Sequence, residues 1–354
     1  MKNYKIVSLF SGIGGFELGI QNSNLDVEVV FASEIDKYAQ ISYAANFNGK
    51  DLYGDITKID EKIIPDHDIL VGGFPCQAFS IAGKQNGFED ARGTLFFDVA
   101  RILKEKQPKY ILLENVKNLI SHDKGKTINV ILNTLNDLNY TVDFTVLNSN
   151  ESGVPQNRER TFIVGILNQP CEKFVTDYRS KKINELKQSL NTNNYNGFNF
   201  FSNLTFQAES YFIKDTLDYD VNLKYHINNE YVDKFLNDND FKCNAPCESK
   251  IIKLFDLPRD VWNDLERQRR VYSINGISPT ILARSDATKI FVNGKVRKLT
   301  PIENLRIQGF SKNFISNIKI ANMSDAQLYK QSGNAVSPPV ITGIFNQLAT
   351  YMEE

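Results

Sequence analysis

The chain has 354 residues, 42% hydrophobic and 23% charged, enough for one large or two ordinary globular domains with sizeable cores. A net charge of −1 argues against a broad basic footprint for nucleic acid, and four cysteines are too sparse for a disulfide framework. No stretch approaches the roughly 18 apolar residues of a membrane span. The opening MKNYKIVSLFSGIGG lacks the pattern of a secretory signal, so a reducing cytoplasm is the expected setting.

Residues 4–10, YKIVSLF, predict a buried strand, followed by the glycine turn SGIGG and a short helix from about Phe16. VEVVFASE (27–34) predicts a second strand, and 36–47 a helix with Asp36 at its start. HDILVGG (67–73) reads as a third strand. A helix over 93–108, stopped by Pro108, leads into the strand YILLENV (110–116). A helix at about 125–138 precedes strands TVDFTVLNS (141–149) and RTFIVGIL (160–167). Strands alternating with helices predict an α/β fold with a parallel, doubly wound sheet, whose ligands bind at the carboxyl ends of strands.

The asparagine-rich segment 184–203 reads as a linker or surface insertion. From about 215 to 330 the alternation stops. Twelve Lys/Arg stand against six acids between Lys250 and Arg306, so a second, smaller mixed domain carries a basic surplus. Residues 331–354 read as a segment ending in a helix, begun by a proline pair, that returns to the first sheet. The expected domains are therefore 1–214, 215–330 and the returning 331–354.

The ends of the predicted strands collect Phe10–Gly15, Glu34, Gly73–Cys76 and Glu114–Val116. Glycines 12, 14, 15 and 19 suit a turn that approaches a nucleotide, and Glu34, about twenty residues on, suits a ribose diol. There is no G-x4-G-K-[ST] for a triphosphate, which leaves a nucleoside cofactor such as NAD or S-adenosylmethionine. Cys76, in GGFPCQAFS, is either a buried small hydrophobe or a nucleophile. Glu114 follows the apolar run YILL and needs a partner or a proton; Arg158 and Arg160 of QNRER can supply the partner. Cys243 and Cys247 lack the second pair or spaced histidines of a zinc site and read as structural, so no metal is expected. Together, a thiol, an acid, arginines and a nucleoside cofactor suggest one reaction. A thiolate adding at C6 of cytosine, with N3 protonated, makes C5 able to attack a methyl donor.

The motifs FSGIGGF, GDI (54–56), GFPCQAFS, GFEDARGTLFFDVARI, ENV (114–116), QNRER (156–160), RKLTPIENLRIQGF (297–310) and QSGNAV (331–336) strongly resemble those of the bacterial DNA (cytosine-5)-methyltransferases. The resemblance covers 4–167 and 270–340. It implies a Rossmann-like, S-adenosylmethionine-dependent methyltransferase sheet with a target-recognition domain. It also implies roles: Cys76 as nucleophile, Glu114 toward N3 and the exocyclic amine, Arg160 toward O2, and Arg158 within the same catalytic set. Phe10, Gly12, Gly14, Glu34, Ile35, Asp55, Ile56, Gly73, Pro75 and Asn334 would line the cofactor site. The stretch from Gln77 to about Leu95 would close over a flipped base. DNA contacts would come from Gln77, Ser80, Arg267, Arg270 and Thr280, the last in RVYSINGISPTI.

The implied partner is double-stranded DNA, without a membrane or an obligate protein partner. A monomer, in the cytoplasm of a bacterium or encoded by a phage, is expected, with a restriction endonuclease encoded nearby. Three alternatives compete. A tRNA cytosine-5 methyltransferase would carry a CFT-x-Y signature, which is missing here. A non-catalytic DNA-binding protein on the same fold would have lost Cys76, Glu114 or the glycine turn. A dehydrogenase would leave PCQ and ENV without a purpose.

Overall fold

A computed structural model describes residues 3–75, 95–176, 180–193, 195, 197–227, 229–239, 246–259 and 266–352. The chain forms two compact units, one of 1–147, 159–205 and 341–354, the other of 148–158 and 206–340. The sequence placed the corresponding boundaries at 214/215 and 330/331.

The first unit is built on seven strands: β1 (Tyr4–Leu9), β2 (Val27–Ser33), β3 (Leu52–Tyr53), β4 (Ile69–Gly73), β5 (Tyr110–Val116), β6 (Tyr140–Asn148) and β7 (Glu159–Leu167). Their order is β3-β2-β1-β4-β5-β7-β6. β1 to β5 pair in parallel, through the crossovers α1 (Gly15–Gln21), α2 (Lys37–Ala44) and α3 (Leu95–Lys106). The expectation of a wholly parallel sheet is corrected at β7, which runs antiparallel to β5. Only residues 149–158 join β6 to β7, too short a stretch for the crossover helix that a parallel return needs.

Helix α3 buries Phe96, Phe97, Val99, Ala100, Ile102 and Leu103, an apolar stripe at helical spacing, against Leu70, Ile111 and Leu113 of the sheet and the core under it. The helix α4 (Lys126–Asp137) adds Ile128, Ile131, Leu132 and Leu135 to the same core.

The reading of 184–203 as a linker is also corrected. Helix α5 (Lys181–Thr192) occupies its first half, and Phe198, Phe200 and Phe201 are buried in its second. Composition misled because the buried stripe is Ile183, Lys187 and Leu190, with a lysine at its centre. Lys187 is fully buried, paired with the equally buried Asp143, and its ammonium lies 5.2 Å from the centre of the Phe144 ring and 4.9 Å from that of Phe174. Burial pushes the Asp143 carboxyl up and the Lys187 amine down, and each charge opposes the other's shift. Lys187→Ala should therefore cost about 3–5 kcal/mol in urea unfolding, because it strands a buried carboxylate. Replacing both partners together with apolar residues should cost much less.

In the second unit a four-stranded sheet has the order β11-β10-β9-β8, from β8 (Lys253–Asp256), β9 (Arg270–Ser273), β10 (Lys289–Val292) and β11 (Lys295–Lys298). Around it lie α6 (Glu230–Asn239), α7 (Glu266–Arg269), α8 (Pro301–Ile307), α9 (Lys312–Ile320) and α10 (Asp325–Asn334). Thr300 and Glu303 form a capping box that starts α8, with Pro301 at its first position. The same Glu303 carboxylate takes both forks of the buried Arg297, at 2.8 Å each, tying β11 to α8.

The last helix is α11 (Pro338–Met352), and its residues from Ile341 onward belong to the first unit. Thr342 donates to the Gly19 carbonyl, and the Tyr351 ring packs edge-on against Phe198. Among the described residues no helix is long and apolar enough to cross a membrane.

Candidate active site

β1 runs into a turn that leaves the ordinary backbone regions three times, at Phe10 (φ 56°), Gly12 (φ 57°) and Gly14 (φ 93°). Two glycines make that path cheap, whereas a left-handed phenylalanine stores strain of the kind found at working sites. Gly14 is required for a second reason. A Cβ there would stand 2.1 Å from the Phe47 ring. The Ser11 backbone N–H donates to the Ser33 carbonyl at 2.9 Å, fixing the turn to the end of β2.

Glu34 follows β2, and its carboxylate accepts from the backbone N–H of Gly12 at 2.9 Å and of Asp36 at 2.7 Å. A carboxylate offers about four acceptor positions, so two remain beyond these. Beside it Ile35 is 70% exposed, an apolar side chain held out at a sheet end. Asp36 then caps α2 through the N–H groups of Tyr38 and Ala39.

β3 pairs with the end of β2 and delivers Asp55, whose carboxyl is held below the usual range by the Thr57 hydroxyl and backbone amide. Ile56 points the other way, into the core, at 3% exposure. Of the residues expected around a cofactor, the first unit thus gathers Phe10, Gly12, Gly14, Glu34, Ile35 and Asp55 at one edge of the sheet. Asn334 is the final, exposed residue of α10 in the second unit.

β4 ends at Gly73, whose register partner on β5 is Glu114. Glu114 accepts from Nε of Arg160 at 2.9 Å, both side chains being less than one-fifth exposed. The antiparallel pairing of β5 and β7 makes this possible, because it sets Val116 opposite Arg160 and brings the start of one strand beside the end of the other. The other Glu114 oxygen would lie 3.3 Å from a Cβ on Gly73, so glycine keeps the space over it open.

Asn115 donates its amide to the Phe74 carbonyl at 2.8 Å and pins the chain as it leaves β4 toward exposed Pro75. Sequence reasoning quoted this asparagine only as part of ENV. An amide directly after Glu114, at the end of the apolar run YILL, was the available signal. Cys76, Gln77 and Ser80, with the segment expected to act as a lid, lie outside the described residues, as does Cys243.

Arg158 takes different partners from Arg160. It is 1% exposed, and its guanidinium donates to the carbonyls of Ile281 (3.3 Å), Gly333 (3.0 Å) and Ala335 (2.8 Å), all in its own unit. Gln156 works alongside, bonded to Gln308 and to the Ile281 N–H. These groups bind the QNRER segment to the QSGNAV segment.

Within the second unit a cavity of about 470 Å³ is lined by Arg267, Arg270, Thr280, Arg284 and Lys289, among others. Arg270 is held by Glu266 at 2.6 Å, and Thr280 donates to the Asn157 carbonyl at 2.8 Å. The three residues expected to meet DNA in this unit therefore share one basic concavity.

The family described as C-5 cytosine-specific DNA methylase matches residues 4–350. Type II methyltransferase M.SsoII of Shigella sonnei is 40% identical, over 99% of this chain and 81% of that protein. M1.ScrFI of Lactococcus lactis subsp. cremoris is 42% identical over 99% and 79%. M.HhaI of Haemophilus parahaemolyticus is 39% identical over 94% and 90%. The chain belongs to the C-5 cytosine-specific DNA methylase family and is a DNA (cytosine-5-)-methyltransferase. Among solved structures, the S. pombe Dnmt2 methyltransferase aligns with a TM-score of 0.69 over 99% of this chain and 100% of that one, at 18% identity, a likeness of fold.

Proposed function

We propose that this protein transfers the methyl group of S-adenosylmethionine to C5 of a cytosine flipped out of duplex DNA, through a covalent bond between Cys76 and C6. The observation that carries this reading is the Glu114–Arg160 pair, set beside the strand exit that leads to Cys76. The glycine turn lies on the next strand, since β4 pairs with β1.

The residues present fit the cofactor. The turn presents open backbone with no side chain at Gly12, Ile35 offers an apolar face for adenine, and Glu34 keeps free acceptor positions for the ribose hydroxyls. When bound, S-adenosylmethionine supplies an electrophilic methyl group. Cys76 as thiolate adds to C6, while the carboxyl of Glu114 gives N3 a proton, and the C5=C6 electrons become available at C5. Arg160 orients Glu114 and the O2 edge of the base. After methylation, loss of the C5 proton expels the Cys76 thiolate and restores the ring. Arg158 serves as a brace for this segment, through its three carbonyl bonds.

The second unit reads the DNA, with Arg267, Arg270 and Thr280 at its basic cavity. The relatives carry names of type II methyltransferases. By that likeness the protein is the modification enzyme of a restriction–modification system, with an endonuclease encoded nearby, and acts as a monomer.

The deciding test is bisulfite sequencing of DNA from cells that express this chain. Protected cytosines within one short site are expected; random or absent protection would reject the reading. On the cofactor side, Glu34→Ala should weaken S-adenosylmethionine binding by about 1–3 kcal/mol in equilibrium dialysis, since the ribose hydroxyls lose a charged acceptor. Unchanged binding would remove Glu34 from the site.

A further inference from the structure

Glu17 is an acid that this scheme does not use. It lies in α1, three residues past Gly14, and is 1% exposed. Neither of its carboxyl oxygens closes a hydrogen bond of good geometry, and no cation among the described residues faces it. The groups that do face it are the Ser8 hydroxyl of β1, its own backbone amide and the Tyr43 phenol of α2. The negative charge of Asp51, on the turn after α2, also acts on Tyr43 and holds its phenol in the protonated form.

These contacts lead straight to the cofactor turn. The Tyr43 ring lies 5.0 Å from that of Phe47, centre to centre. Phe47 fills the space beside Gly14 that any side chain there would need. A change in charge at Glu17 thus reaches the turn through two packed rings, without a mobile segment between.

We propose that Glu17 is a positioning residue for the glycine turn: as the neutral acid it lets α1, α2 and the turn pack closed, and on losing its proton it loosens them, weakening the hold on the cofactor. The inference rests on the assignment of that turn to S-adenosylmethionine. Burial is the dominant influence on Glu17 and pushes its carboxyl up to about 7; Ser8, its own amide and Tyr43 oppose this only in part. The ordinary value is 4.5, so the folded chain keeps a proton that the unfolded chain has already lost. Stabilisation by the neutral acid is complete below about 4.5 and disappears as pH rises through about 7.

The test is equilibrium dialysis of labelled S-adenosylmethionine between pH 6.5 and 8.5, with the wild type and Glu17→Gln, a neutral group of the same shape. Wild-type Kd should rise roughly tenfold over this range, the linkage expected when the protonated form binds. Glu17→Gln should stay flat, near the wild-type affinity at low pH. A flat wild type, or a variant that keeps the rise, overturns the proposal.

Amide hydrogen exchange at residues 10–15 of the cofactor-free protein, corrected for intrinsic rates, separates the two readings. Failure of both proteins to bind at any pH would remove the cofactor assignment alone. Wild-type protection that falls between pH 6.5 and 8.5 would still support Glu17. Constant protection would overturn it, even if the variant did not fold.

Discussion

On the proposed mechanism, Cys76→Ser should abolish methyl transfer while leaving DNA binding intact. An alcohol has no thiolate chemistry at neutral pH, so the step that makes C5 nucleophilic never begins. The wild type should form a complex stable to denaturing electrophoresis with an oligonucleotide carrying 5-fluorocytosine at the target. Fluorine at C5 leaves no proton to remove, so the Cys76–C6 bond cannot be released. The serine variant should form none. Measurable turnover by Cys76→Ser would transfer the nucleophile's role to another residue.

Glu114→Gln is expected to lose about 10²–10⁴ in rate, the usual worth of a positioned acid. The amide keeps the shape and can still accept from Arg160 but has no acidic proton for N3. Folding and cofactor affinity should be close to wild type, as checked by thermal melting and dialysis. A purely structural Glu114 would give the opposite pattern, with a lower melting temperature and a modest change in rate.

Most of the first unit was legible because its strands are short apolar runs punctuated by glycine and proline. HDILVGG and YILLENV predicted β4 and β5 almost to the residue. Two features were hidden for different reasons. The direction of β7 depends on the length of a connection rather than on the pattern within the strand, and alternation of elements alone implies parallel pairing. Helix α5 was hidden because its core-facing stripe holds Lys187, whose burial is made tolerable by Asp143, more than forty residues earlier. No local pattern reports such a partner.

The site shows the same division. Glu114 and Arg160 were each visible as charged residues at strand ends, but only the register of β5 against β7 pairs them. Arg158, two residues away in the same motif, has its guanidinium engaged with three backbone carbonyls. Residue chemistry alone does not tell the two arginines apart; only the family resemblance gave Arg160 a role of its own, toward O2.

The return of α11 to the first unit has a consequence for biosynthesis. The ring of Tyr351 packs on Phe198 and Phe200, so the sheet that carries Glu114 is not fully clothed when its own strands leave the ribosome. At about 5–20 residues per second, the roughly 150 residues between Thr205 and Tyr351 take on the order of ten seconds to make. During that interval Phe198 and Phe200 lack their cover and invite chaperones or aggregation. A ribosome that stalls between residues 206 and 337 releases a chain with every strand of the large sheet and none of its last helix. Such a product should be degraded rather than accumulate as a half-made enzyme.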